Sequence, residues 1–423
     1  MATEAAARTG ERRVPRSARG ATTRGAILDA AQGLFVSPGY RATSLRDIAA
    51  AVGLSHQGVR RHFESKDEIL LAVVERFGSV DLDDPADVSE GLGIVAIAAR
   101  NAERPGYLEL FSALAGEAAV ANHPAHERMR ARYAKLLDLS TDRLAWSQSE
   151  GMIGAGRDLR AEALRLAAAW DGLQLLQLYL PERVQVVPAL AHHETLLAWP
   201  LGSGAVTGPR PDVPAPLPAL DLEPEEGAAE GYAKGRERRA RIIADATRLF
   251  ATEGYGDTSM RDVAERVGVS KSTLFHHFVS KEDLLSAVLI ARDAQISDAV
   301  TLAAAGSARE LLETLAEGAR SNAADEPGLV EVYAVLSCEA TTSGHPAHAY
   351  FQRRYARALD AFTAVFEAAH ADGDLPAHRD PVHEAAWLVA LWDGLQIQWM
   401  YDRTLDVGAH LAAHVADVLP PRL

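Results

Sequence analysis

Apolar residues recur at helical spacing near the start of the chain. Ile27, Ala31, Leu34 and Phe35 stand at i, i+4, i+7 and i+8, the stripe of an amphipathic helix, and Gly39 stops it. Leu45, Ile48, Ala49 and Val52 predict a second helix, opened by Thr43 or Ser44, with Ser44 and Asp47 at capping-box spacing. Gly53 breaks that helix. Ser55 opens a third, short helix with Val59 and Phe63 pointing inward, and Ser65 with Glu68 opens a fourth. Two short helices joined by a tight turn such as Val52-Gly53-Leu54-Ser55 form a helix-turn-helix, whose outward face fits a major groove.

The same signals return 215 residues later: Ile242, Ala246, Leu249 and Phe250, then Gly254; Met260, Val263, Ala264 and Val267, then Gly268; Ser270 before Leu274 and Phe278; Ser280 with Asp283. Between Leu34–Lys66 and Leu249–Lys281, 16 of 33 positions are identical. Further along the offset becomes 222: Pro105-Gly106 matches Pro327-Gly328, His123-Pro124-Ala125-His126 matches His345-Pro346-Ala347-His348, and Trp170-Asp171-Gly172-Leu173-Gln174 matches Trp392-Asp393-Gly394-Leu395-Gln396. A repeat of this length is a duplicated whole protein rather than a solenoid. Between the copies, Pro200 to Gly231 holds seven prolines and an acidic run, a stiff extended connector.

Downstream of each head the apolar pattern stays helical. Tyr107, Leu108, Phe111, Leu114 and Ala115 follow Pro105, and Leu329, Tyr333 and Leu336 echo them after Pro327. Helices are expected near 159–180 and 381–401, with Gly172 and Gly394 permitting close helix approach, and near 185–199 and 405–418. The fold class is all-α. The expected organisation is a basic flexible arm (1–20), a first head (21–80), a first helical bundle (81–199), the Pro-rich linker (200–231), a second head (232–290) and a second helical bundle (291–423).

Composition supports this. Hydrophobic residues make up 48% and aromatics only 6%, with Ala and Leu dominant, which favours helix. No run of eighteen apolar residues occurs, so no membrane span is expected. The Arg-rich start of the chain has no apolar segment that would make it a secretory signal. One cysteine, Cys338, allows no internal disulfide and no zinc-finger spacing, and the expected compartment is the cytoplasm. The formal charge of −15 opposes bulk attraction to nucleic acid, yet basic clusters precede both heads, from Arg8 to Arg24 and from Lys234 to Arg241. Phosphate contacts are local, so the distribution outweighs the sum.

The segment Thr258 to Phe278, followed by Lys281, resembles the signature of TetR regulators; Thr43 to Lys66 matches in frame but departs in the third helix. The resemblance implies a three-helix DNA-binding head and a C-terminal bundle that binds a small effector and dimerises. Here one chain would supply both subunits as an intramolecular pseudo-dimer. It also implies that Thr258 and Lys281 touch phosphate and that Ser270, Lys271, Ser272, Thr273, Phe275, His276 and His277 lie along bases or backbone. The corresponding positions in the first head are Thr43, Lys66, Ser55, His56, Gln57, Gly58, Arg60, Arg61 and His62. Gln57 suits adenine and Arg60 or Arg61 guanine or phosphate. The two third helices differ at all six positions from 56 to 61. Either the operator is asymmetric, or the first head has lost specific binding and serves as a partner. The fourth helix of each copy, near Lys66–Phe77 and Lys281–Ala291, is the expected lever between effector and head.

Effector-pocket candidates are Phe111, Glu117, Tyr133, Trp146 and Trp170 in the first copy and Tyr333, Glu339, Tyr355 and Trp392 in the second; core packing is the rival reading for each. The copies differ enough that only one pocket need be occupied. His123 with His126, and His345 with His348, have i, i+3 spacing, but two histidines rarely make a metal site; neither metal nor cofactor is expected. Cys338 aligns with Gly116 and is expected to be buried. No Ser/His/Asp set, phosphate loop or metal spacing supports an enzyme. The expected function is a repressor that a small-molecule effector releases from double-stranded operator DNA. A protein that sequesters another regulator, with one degenerate head, is the alternative.

Overall fold

The computed structural model describes residues 16–40, 43–78, 92–120, 123–203, 211, 214–217, 233–253, 258–303, 306–325 and 327–421. The basic arm upstream of Arg16, and most of the Pro-rich linker, lie outside them. Every regular element among these residues is helical. The chain divides into two compact units, Met1–Ser79 and Val80–Leu423.

The first unit contains α1 (Arg16–Leu34), a π-helical turn (Phe35–Gly39), α2 (Leu45–Ala51), α3 (His56–Arg60) and α4 (Lys66–Gly78). Its core is the apolar stripe legible in the sequence: Ile27, Ala31, Phe35, Ile48, Val59, Phe63, Ile69 and Val73 are all buried. Ser44 and Asp47 form a reciprocal capping box on α2, and Ser55 Oγ accepts from Gly58 N at the start of α3. Gly53 turns the chain between them at φ +65°, a conformation costly for any residue with a Cβ.

The second unit begins with α5 (Ile94–Ala102), α6 (Tyr107–Glu117), α7 (His126–Ser149), α8 (Leu159–Tyr179) and α9 (Val186–Leu197). The second head follows: α10 (Ala233–Glu253), α11 (Met260–Val267), α12 (Lys271–His277) and α13 (Lys281–Ala303). It buries the counterparts of the first head's core, from Ile242 to Val288, and repeats its caps at Ser259 and Ser270. Then come α14 (Ala308–Asp325), α15 (Pro327–Glu339), α16 (His348–Ala371), α17 (Pro381–Tyr401) and α18 (Val407–Val418). Within this unit α10 packs on α13 and also on α15. The short linker stretch 214–217 is docked, since Ala215 N donates to Asp372 Oδ1 at 2.7 Å.

The two copies meet through α8 against α17 and α6 against α15, with α9 and α18 on the flanks. The α6–α15 crossing joins the α8–α17 one, and small residues permit it. A Cβ on Gly116 would stand 2.5 Å from Cys338 Cβ, so the two aligned positions face one another. The other contacts are reciprocal. Gly172 lies on Ala390, and Gly394 on Ala168. Tyr179 Oη donates to Ser337 O at 2.7 Å, and Tyr401 Oη to Ala115 O at 2.6 Å. Each pair differs from its mate by the repeat offset of 222 residues, which makes the contact pseudo-two-fold.

One feature breaks the symmetry. Asp417 accepts from Arg157 Nη1 at 3.1 Å and from Arg379 Nη2 at 2.9 Å, although the two arginines are themselves counterparts. The position matching Asp417 is Thr195. Glu162 and Glu384 complete the cluster, paired to Arg157 and Arg379. Burial alone would raise the Asp417 carboxyl, but the two guanidinium charges outweigh it and hold the pKa below the usual carboxylate range. On the flank, His193 stacks on Trp387 with ring centroids 3.4 Å apart.

Two expectations follow for stability. A methyl at Gly394 would stand 1.7 Å from the Ala168 carbonyl oxygen, and backbone cannot swing aside as a side chain can. Gly394→Ala should therefore lower the stability of the second unit by roughly 3 kcal/mol in chemical denaturation. Asp417→Asn keeps the shape but removes the shared anion from two buried arginines. It should cost roughly 3 kcal/mol, whereas Thr195→Ala should shift the same transition by less than roughly 0.5 kcal/mol.

Candidate nucleic-acid interface and ligand cavity

On α3 of the first head, Ser55, His56, Gln57, Arg60 and Arg61 are exposed, Gly58 and His62 are half-buried, and Val59 and Phe63 anchor the helix. On α12 of the second, Ser270, Lys271, Ser272, Phe275 and His276 are exposed, while Thr273 and His277 are half-buried. Phe275 is a large apolar side chain left 41% exposed, with Lys271 Nζ 5.7 Å from its ring centre. Ser270 Oγ sits 2.7 Å from Thr273 Oγ1 and 2.9 Å from Ser272 Oγ, so these hydroxyls are preorganised at the helix start. Burial, then the charges of His276, Arg238 and Arg239, push the His277 pKa down from the usual imidazole value.

Two of the candidate positions in each head do not face outward. Thr43 is 3% exposed, and its hydroxyl donates to Leu34 O at 2.9 Å and Gly39 O at 2.7 Å. Lys66 Nζ donates to Tyr40 O and Thr43 O, both at 2.7 Å, and lies over the Tyr40 ring. These residues lock the approach to α2 rather than present groups to a phosphate. Thr258 is equally buried and Lys281 half-buried. Part of the basic clusters is also structural. Arg24 stacks on Phe63 and donates to His62 O at 2.7 Å, and its counterpart Arg239 lies over Phe278. The sequence signal for this was present, since both arginines stand at the same offset as the phenylalanines they cover.

A cavity of about 180 Å³ lies among α5, α6, α7 and α8. Phe111, Tyr133 and Trp170 line it, as expected. Glu117 is buried elsewhere, and Trp146 is 46% exposed with Arg143 stacked on it, so neither belongs to the wall. Periodicity missed the polar groups that do: Asn101, Arg132, Arg143, Asp171 and Gln174. Burial pushes the Asp171 carboxyl up to about 7, against the opposing hydrogen bond from Tyr133 Oη (3.0 Å) and the charge of Arg132.

The corresponding wall of the second copy carries different side chains. Ser140, Arg143 and Leu144 give way to Phe362, Val365 and Phe366, all buried. Tyr333 and Tyr355 are core residues, Tyr355 Oη donating to Asp393 at 2.5 Å. Glu339 on α15 and Trp392 on α17 are half-buried. The His-Pro-Ala-His turns have a local role. His126 and His348 Nδ1 each meet a carbonyl oxygen at 2.8 Å, and His123 and His345 Nδ1 each accept a backbone N–H at 3.2 Å. Cys338 is fully buried, and burial raises its thiol pKa. Among the described residues no cluster of metal-ligating side chains forms, and no helix is long and apolar enough to cross a membrane.

Residues 27–73 and 242–288 each match the family of bacterial regulatory proteins, tetR family. Both heads are tetR-family domains, in tandem. The HTH-type transcriptional repressor Rv3405c of Mycobacterium tuberculosis is 43% identical over 70 residues, 15% of this chain and 37% of that protein. The HTH-type transcriptional activator FasR of Mycolicibacterium smegmatis is 43% identical over 53 residues, 12% of this chain and 24% of that protein. The chain thus spans 37% and 24% of the length of these two relatives, which are named as transcriptional regulators. Solved structures similar to it include the fatty acid degradation regulator FadR of Bacillus halodurans (18% identity, 46% of this chain, 97% of that chain, TM-score 0.40). Salmonella enterica GusR is another (22% identity, 43% and 95%, TM-score 0.37).

A pH test isolates Asp171. The native chain holds this proton up to about pH 7, whereas an unfolded aspartate releases it near 3.8. The native state binds more protons across that window, so this residue makes stability fall as pH rises through it and level off above. Asp171→Asn should remove that component. The mutant-minus-wild-type difference in unfolding free energy should grow between pH 4 and pH 7 and then stay constant.

Proposed function

We propose that this chain is a DNA-binding transcriptional regulator acting as a single-chain pseudo-dimer, with both tetR-family heads reading one operator. The observation that carries the reading is the recurrence of the head: two capped helix-turn-helix units, each anchoring its recognition helix by one aliphatic and one phenylalanine side chain. Apart from the capping serines Ser55 and Ser270, the exposed residues differ between the heads: His56, Gln57, Arg60 and Arg61 in one and Lys271, Ser272, Phe275 and His276 in the other. Different side chains at base-reading positions select different half-sites, so the operator is asymmetric. Fusion of the copies removes the concentration dependence of dimerisation and leaves each half free to diverge.

The cavity of the first copy is the effector site in this reading. An effector that prefers the DNA-incompetent arrangement of the heads weakens operator binding by its differential affinity, so occupancy releases the operator. Relatives of the heads include a named repressor and a named activator; release on effector binding favours repression here.

The decisive experiment measures binding of the full chain to its own upstream DNA at several salt concentrations. Arg60→Ala/Arg61→Ala and Lys271→Ala/Phe275→Ala should each cost at least tenfold in specific affinity, with a shallower salt slope for the arginine pair. If only the second pair matters, the first head is a degenerate partner. If neither changes binding, the chain does not read DNA through these helices.

A further inference from the structure

The two copies hold the same arginine in different electrostatic settings. Arg132 and Arg354 are counterparts on α7 and α16, each with its guanidinium against the ring at one aligned position: Phe111 at 5.0 Å for Arg132 and Tyr333 at 4.6 Å for Arg354. In the second copy this cation has an internal counter-ion. Arg354 Nε lies 3.0 and 3.1 Å from the two carboxylate oxygens of Asp293, which is fully buried on α13 and also accepts from Tyr350 Oη. The position aligned with Asp293 in the first copy is Gly78, which offers no side chain at all. Among the described residues no carboxylate forms an ion pair with Arg132, although it lines the cavity.

The neighbouring charges do not cancel it. Arg143, at another part of the wall, adds a second cation and has the charge of Glu194 nearby. Asp171 is the one acid of the lining, and burial keeps it substantially protonated near neutral pH. The remaining wall is apolar and aromatic, from Leu136, Tyr107, Phe111 and Trp170. Two acceptors of the lining lack a partner: Asn101 Oδ1 and Gln174 Oε1, each on a residue only 3% exposed. Among the described residues the wall thus holds buried acceptors without donors and a cation without an ion-paired carboxylate, and one kind of guest answers both.

We propose that the cavity of the first copy takes a small organic acid, its carboxylate paired with Arg132 where the second copy uses its own Asp293. The apolar body lies between Tyr107, Phe111 and Trp170, and a hydroxyl or amide N–H on that body donates to Asn101. The second copy is, in effect, the same site with the acid built in and the body replaced by Phe362 and Phe366. This rests on the reading of the cavity as the effector site, and it restricts that effector to anions.

Calorimetric titration of the full chain tests it with probes of matched shape: 3-phenylpropionate, hexanoate, 3-phenylpropanamide and (3-phenylpropyl)trimethylammonium. The acids should bind at least tenfold more tightly than the amide, and the ammonium should not bind. Arg132→Met should abolish the preference of acid over amide, and Arg132→Lys should retain most of it. Thermal melts of each variant confirm that the fold persists. Should the amide or the ammonium bind as well as the acids, or should Arg132→Met leave the preference intact, the assignment to anions fails while the cavity remains a ligand site. Should no probe of any charge bind, the effector reading of the cavity fails with it.

Discussion

The close crossing of α8 and α17 is the constraint on which the second unit depends. Gly172 and Gly394 bring two helix backbones within a distance that no side chain would tolerate, and everything around the crossing is arranged by that approach. It brings Tyr179 and Tyr401 within reach of carbonyl oxygens on the opposite copy, and it sets Gly116 against Cys338. The buried arginine cluster and the His193–Trp387 stack then close the flanks. Close approach replaces long apolar side chains with dispersion contacts between backbones and with reciprocal hydrogen bonds, which specify one register where a greasier seam would tolerate several.

Much of the fold was legible because its signals are local. The stripes of Ile27 and Ile242, the capping boxes at Ser44 and Ser259, and the turn glycines Gly53 and Gly268 act within a few residues of one another, and the helices stand where these signals place them. Trp170-Asp171-Gly172 and its copy marked the crossing helices correctly, because a glycine repeated inside a helix has few reasons to persist other than close packing. What local pattern could not show was where a polar side chain spends its hydrogen bonds. Thr43 and Lys66 sit in a recognisable motif, yet their polar atoms turn to carbonyls 26 or fewer residues away. Arg132, Asn101 and Asp171 were invisible as cavity groups because charged and amide residues on an amphipathic helix ordinarily face water, and only the tertiary arrangement of four helices turns them inward.

The duplication also acts as an internal control. At aligned positions the two bundles keep the arginine, the aspartate and the tyrosine and differ in what stands beside them: Ser140 and Leu144 in the first copy, Phe362 and Phe366 in the second. An open cavity costs dispersion contacts that a packed aromatic side chain would supply.

The single carboxylate shared by Arg157 and Arg379 has a consequence for ancestry and assembly. Two first copies joined to each other would present threonine at both positions and strand a pair of buried guanidinium groups between only two acids. Two second copies would crowd a second aspartate into the same dry space. Each half has thus become a poor mate for itself and a good one for the other, so the merger is a one-way step: separated and mixed, the pieces would sort into unlike pairs.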